Sequence, residues 1–149
     1  MRLNKTNLHY INTPGIYKVD EPLTTYKKII CKRGINRPVR AIVELEIPVD
    51  SHVVIPYSGP RINTWNKFRA NQAVVKKITL LDENTELLET GEATDEYHCT
   101  SYHDPTFKYK VGDLIYPRER LFSYNFYEIY KPGIHMFRYK ITAKLYDFN

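Results

Sequence analysis

Cysteine, glycine and tryptophan are scarce in this chain of 149 residues, which holds two, six and one of them. Two cysteines cannot build the dense disulfide framework of a small secreted domain. Cys31 and Cys99 are therefore read as free thiols in a reducing compartment, with a single pairing as the alternative. No stretch approaches the roughly 18 uninterrupted apolar residues that a helix needs to cross a bilayer. The opening residues, MRLNKTNLHYINTPGIY, lack the apolar core of a secretory signal, which points to an intracellular protein and to no membrane partner. Asn4-Lys5-Thr6 is then a chance match to a glycosylation sequon. Also missing are the G-x-x-x-x-G-K-[ST] phosphate loop, the G-x-G-x-x-G turn, the G-x-S-x-G elbow and paired Cys-x-x-Cys knuckles. Their absence removes the common nucleotide, hydrolase and zinc signatures, and no cofactor is implied. There is no internal repeat or low-complexity tract.

What is present fits one domain spanning residues 1–149. Hydrophobic residues make up 42% and charged residues 26%, too apolar for disorder and ordinary for a soluble domain. The net charge of +5 is unevenly spread. Residues 1–40 carry nine Lys and Arg against two acids, residues 41–106 five against eleven, and residues 107–149 eight against four. A basic face for nucleic acid would give this asymmetry, as would strands with lysines on their wet side.

The clearest local pattern is a period of two from Val39 to Ile47. Val39, Ala41, Val43, Leu45 and Ile47 share one face, and Arg40, Glu44 and Glu46 lie on the other. Leu23 to Arg33, LTTYKKIICKR, is also a strand by its β-branched and aromatic content. Gly34 and Asn36 turn the chain between them, so the two strands are neighbours, with cross-strand ion pairs to Glu44 and Glu46. His52 to Tyr57 and Ala73 to Leu81 are further strands, and Trp65 and Phe68 are spaced for a helical turn within residues 61–72. Residues 1–21 are an irregular lead-in with a short strand around Ile16, Tyr17 and Val19. Residues 82–106 are an acidic loop excursion with a short strand from Tyr97 to Tyr102. Phe107 to Val111 and Leu114 to Tyr116 are strands. Tyr139 to Tyr146 closes the chain as a helix with Ile141 and Leu145 on one face, or as an edge strand. The sum is an α+β fold: a strand-rich single domain, mostly antiparallel, with one or two short helices.

Phe107 to Tyr139 concentrates half of the chain's aromatic residues. Tyr109, Tyr124, Tyr127, Tyr130 and Tyr139, with Arg138, form either a core and protein-contact surface or a platform for bases with Lys and Arg on the phosphates. Without an RNP-type run the first reading is preferred. It describes a non-catalytic interaction or assembly protein whose partner is another protein or itself as a homodimer, with nucleic acid as a less favoured partner and an enzyme not favoured. His135, inside the apolar string 133–137, either presents a ring nitrogen at a pocket floor or is a core histidine bonded to backbone. His98, Cys99, His103 and Asp104 have ligand chemistry, but all four lie in one loop with no common metal spacing, so a metal-free polar loop is expected. A Cys99–His103 nucleophile pair would need a lowered thiol pKa and an oxyanion hole.

Three pieces taken together carry a family resemblance. They are Ala41-Ile42-Val43-Glu44-Leu45-Glu46-Ile47-Pro48, Lys67-Phe68-Arg69-Ala70-Asn71-Gln72-Ala73-Val74-Val75, and Tyr109-Lys110-Val111-Gly112-Asp113 through Pro117 to Gly133-Ile134-His135-Met136-Phe137. They resemble an uncharacterised domain family of large DNA viruses, often joined to pentapeptide or other repeats. The resemblance implies a Gly-Ile-His-aromatic strand followed by a short helix ending in tyrosine, here Tyr139 to Tyr146. It implies an intracellular or virion setting and no catalytic residues. Gly133-Ile134-His135-Met136 is also similar to the strand that borders the NAD pocket in ADP-ribosyltransferases. That likeness implies a nucleotide or NAD pocket around His135. The rest of that pattern is missing: Tyr26-Lys27-Lys28 stands where an NAD-gripping pair belongs, no Ser-Thr-Ser run follows, and no glutamate lies beyond residue 137.

Overall fold

The structure, a computed structural model, describes residues 1–57, 67–128 and 130–146. Among them are β1 (Arg2–Leu3), β2 (Gly15–Val19), β3 (Leu23–Arg33), β4 (Val39–Ile47), β5 (His52–Ile55) and β6 (Lys67–Ala70). There follow β7 (Ala73–Leu81), β8 (Glu89–Glu92), β9 (Tyr97–Thr100), β10 (Lys108–Tyr109), β11 (Leu114–Ile115), β12 (Ile134–Phe137) and the helix α1 (Lys140–Leu145). The strands make one sheet in the order β1-β2-β5-β6-β12-β3-β4-β7-β11, with β8 on β7 and the β9–β10 pair on β3. β1 runs parallel to β2, and the long pairings of β3, β4 and β7 are antiparallel.

The expected neighbours β3 and β4 are the spine, in register from Leu23↔Ile47 to Cys31↔Val39. Their alternation works as the sequence implies: Leu23, Ile29 and Cys31 face Ala41, Val43, Leu45 and Ile47 in the main core. That core extends to Tyr17, Val53, Phe68 and Met136. The other face holds a smaller cluster of Ile42, Leu81, Phe137 and Ala143, which α1 covers.

Closing residues 140–145 are helical, but the helix does not bury Ile141 and Leu145. It seats Thr142 and Ala143, leaving Ile141 and Leu145 exposed, because small side chains let it lie close on the sheet. Lys28 fixes its end: Nζ donates to the carbonyls of Lys144 at 2.9 Å and Tyr146 at 3.1 Å and pairs with Glu86 at 2.6 Å. A cation at a helix C-terminus satisfies the last carbonyls and complements the dipole.

Five expectations need correction. Cys31 and Cys99 are not free thiols but a disulfide, formed where β3 and β9 place them directly opposite. The support that free thiols gave to a reducing compartment falls with it. Among the described residues no ion pair joins β3 to Glu44 or Glu46, because the register sets Thr24 against Glu46 and Tyr26 against Glu44. Phe68 lies in strand β6, not a helical turn, and Trp65 lies outside the described residues. The acidic excursion contains β8, and the lead-in contains β1, which two residues were too short to announce.

Gly133, just before β12, has φ +153°, and a Cβ there would lie 2.9 Å from Arg69 Cδ and 3.1 Å from Phe122 Cδ1. Gly133→Ala is therefore expected to destabilise by about 1–3 kcal/mol, read as a lower urea midpoint at unchanged m-value.

Candidate ligand cleft

One edge of β3 is paired with β4 from Leu23 to Cys31. The other edge is shared. β12 meets it at the single pair Phe137↔Tyr26, and β9 takes it from Ile30 to Arg33. Among the described residues no strand pairs with Lys27, Lys28 or Ile29 on that side. The sheet splits there, and a cleft of about 710 Å³ opens in the split. β12 and its approach give it Lys131, Gly133, Ile134, His135 and Phe137. The β9–β10 arm gives Tyr102, His103, Asp104, Phe107 and Tyr109, and residues 117–121 give Arg118 and Leu121. Several hundred cubic ångströms with mostly apolar walls is the size and character of a small-molecule site.

Two lysines set its electrostatics. Lys27 points inward, on the face of β3 that carries the buried Thr25 and Ile29. Its Nζ donates to the His135 carbonyl at 3.0 Å, a group left without a β3 partner by the split. Burial, helped by the neighbouring Lys67 charge, lowers the Lys27 pKa to about 7. Lys67, on β6, lies over the rings of Tyr130 at 5.1 Å and Tyr146 at 5.2 Å, and burial lowers its pKa too. Neither lysine has a carboxylate within 4.0 Å among the described residues. Of the other charges on the wall, Arg118 pairs with Asp104 at 3.6 Å, Lys131 with Glu128 at 3.0 Å and Lys28 with Glu86, while the exposed carboxylate of Glu119 lies at the rim.

His135 lies between the two readings made of it: it lines the cleft and is also bonded to backbone. Its Nε2 is 2.8 Å from the Lys131 carbonyl, which fixes the proton on that nitrogen in the neutral ring. Burial, then the charges of Lys27 and Lys67, push its pKa down to about 3. The unfolded chain binds this proton from pH 6.5 downward, whereas the folded chain holds the ring neutral to about 3. The stability His135 contributes is thus complete above pH 6.5 and lost as pH falls through that window. The stability difference between wild type and His135→Gln should shrink between pH 6.5 and 4 in urea titrations; a difference independent of pH would contradict it.

The tyrosines separate into groups. Tyr109 is buried, and burial raises its pKa, so its hydroxyl keeps its proton. Tyr124, Tyr127 and Tyr130 are exposed, and Tyr124 Oη lies 3.0 Å from His52 Nδ1. Tyr139 donates to the His9 carbonyl at 2.6 Å. Arg138 is not at the surface: it is 3% exposed and donates from Nη1 to the Leu8 carbonyl at 2.9 Å. Arg138 and Tyr139 border a smaller cavity of about 360 Å³ away from His135. His103 and Asp104 reach the cleft, His98 faces outward, and the Cys99 sulfur is committed to Cys31. The disulfide removes both the four-residue ligand set and the Cys99 nucleophile, and no group of three or more ligand side chains forms among the described residues.

His135, a candidate from its apolar string, lines the cleft, and so do Lys27 and Lys67, which no local motif marks. The signal for Lys27 was in the alternation itself, because Leu23, Thr25, Lys27, Ile29 and Cys31 share one face.

No helix among the described residues is long and apolar enough to cross a membrane. No solved structure matches this one. Uncharacterized protein L223 of Acanthamoeba polyphaga mimivirus is 33% identical over 150 residues, covering 91% of this chain and 90% of its own length. Uncharacterized protein L812 of the same virus is 29% identical over 142 residues, covering 87% of this chain and 84% of its own. Residues 8–143 match a family of unknown function, DUF5758, and span the strands that frame the cleft. The chain belongs to that family, whose relatives here are giant-virus proteins, as its Gly-Ile-His-aromatic strand and its Ala41–Pro48 strand implied.

Proposed function

We propose that this protein binds a small anionic organic molecule, of the nucleotide or phosphometabolite class, in the cleft between β3 and β12. The observation that carries this reading is the pair Lys27 and Lys67. Among the described residues, two cations with no carboxylate within 4.0 Å share one mostly apolar cavity, each with its charge disfavoured by burial. Left empty, that arrangement costs stability; an anion between them offsets it. The aromatic walls suit a planar group, and Gly133, Ile134 and His135 border the cavity as the NAD-like reading of this segment expects. No transfer reaction is proposed, since the acid such chemistry uses has no counterpart here.

A thermal-shift screen against AMP, ADP, NAD and sugar phosphates tests it. A ligand at 100 times its dissociation constant should stabilise by about 2.7 kcal/mol. That is a rise of roughly 5–10 °C for a chain this size. Lys27→Met should abolish the shift and, without ligand, make the protein more stable by about 1–4 kcal/mol. Lys27 is protonated up to pH 10.5 in the unfolded chain but only to about 7 in the folded one. Its penalty is therefore full at or below pH 7 and fades as pH rises toward 10.5, so the Lys27→Met gain should fade likewise. Wild type that gains nothing from any of these anions, with Lys27→Met less stable than wild type, would remove the reading.

The exposed Tyr124, Tyr127 and Tyr130, near the exposed Leu121, favour a second reading as a protein-contact surface, including self-association. Light scattering at high micromolar concentration tests the homodimer, and a monomer there counts against it. Nucleic acid enters the screen as a competitor, recognised by affinity that falls steeply with salt.

A further inference from the structure

Resting on the anion reading of the cleft, we propose that Lys27 is a carbonyl-reactive amine and that the molecule bound there carries an aldehyde or ketone beside its negative charge. Lys27 stands where β3 has lost its strand partner, so the cleft reaches its side chain directly. Among the described residues its one hydrogen bond is to the His135 carbonyl. An ammonium has three protons to place, and two remain without partners; a neutral amine leaves a lone pair to aim into the cavity. The next residue is a built-in contrast. Lys28 has a carboxylate and two carbonyls around Nζ and a side chain 2% exposed, so it is fixed as a structural cation. Lys27 has none of these acids and faces Lys67 instead. Desolvation beside a second cation is the environment that turns lysine into a nucleophile at neutral pH. A pKa of about 7 agrees with that.

The step is an imine condensation. The Lys27 nitrogen attacks the carbonyl carbon, and the proton it sheds ends on the carbonyl oxygen. The carbinolamine then loses that hydroxyl with a second proton as water, and the C=N bond forms. One amine and one carbonyl give one imine and one water, with no oxidant or reductant. Lys67 is placed to hold the anionic end of the same molecule.

The test uses the full chain with pyridoxal 5′-phosphate, an aldehyde bearing a phosphate, trapped by sodium cyanoborohydride and mapped by peptide mass spectrometry. The expected result is one fast pyridoxyl adduct, on Lys27, at least tenfold faster than on any surface lysine. Pyridoxine 5′-phosphate, which has an alcohol in place of the aldehyde, should slow that labelling by occupying the cleft. Lys27→Arg should lose the fast adduct and keep a cation there, with thermal unfolding confirming its fold. Labelling spread evenly over the lysines, or none at all, would overturn the proposal. If pyridoxine 5′-phosphate still stabilises the protein in that case, the anion reading stands alone. If Lys27 labels selectively but no anion protects it, the reactive amine stands and the anion reading falls.

Discussion

Arg69→Met will destabilise the protein by about 3–5 kcal/mol, the usual result of deleting one partner from a buried charged network. Arg69 is fully buried on β6. Its Nε and Nη2 both donate to the Ser123 carbonyl, at 3.1 and 2.9 Å, Nη2 also to Asn125 at 2.5 Å, and Nη1 to Glu128 at 2.9 Å. The guanidinium is thus a core around which residues 121–128 curl. Methionine keeps much of the volume and none of the donors, leaving three carbonyls to find water. The unfolding temperature should drop by on the order of 10 °C. New proteolytic cleavage should appear between residues 121 and 131. Because Leu121, Tyr130 and Lys131 line the cleft, ligand affinity should fall with it. Arg69→Lys, with one ammonium in place of the fork, should recover only part of the loss. A loss under about 1 kcal/mol for Arg69→Met would mean the segment is held by something else.

Removing the disulfide is the other large effect. Cys31 and Cys99 lie 68 residues apart, and closing a loop of that length is worth about 4 kcal/mol in the chain-entropy account. The double variant Cys31→Ser, Cys99→Ser should therefore lose about 2–5 kcal/mol, and reductant should lower the unfolding temperature of wild type only. The bridge ties β3 to β9, and β9 leads directly into Ser101 to Asp104 on the cleft wall. Reduction should weaken ligand binding as well as stability. A protein indifferent to reductant would carry free thiols, as the cysteine count alone suggests.

That disagreement marks where sequence stops informing. Val39 to Ile47 was legible because one face is buried from Ala41 to Ile47, so a period of two is forced on the residues. Leu23 to Arg33 was legible as a strand by composition. What lies opposite its outer edge was not, because β12 and β9 come from residues 134 and 97 onward and no local pattern encodes their register. The disulfide and the split edge are both consequences of that pairing. His135 could be suspected, since a histidine in an apolar string needs a partner. Lys67 and Arg69 look alike as basic residues around Phe68, yet one faces a ring pair in the cleft and the other a ring of carbonyls. Only tertiary structure distinguishes them. The exposed tyrosines were counted correctly but their segment was not placed: Arg69, far away in sequence, positions it.

A crystal structure of the protein soaked with a nucleotide or sugar phosphate that stabilises it tests the anion site between β3 and β12. The anionic group is expected between Lys27 and Lys67, within hydrogen-bond distance of both Nζ atoms, with its organic part against Phe107, Ile134 or Tyr130. Density for the ligand elsewhere on the surface, or a Lys27 turned away and a cleft filled by its own side chains, would contradict it.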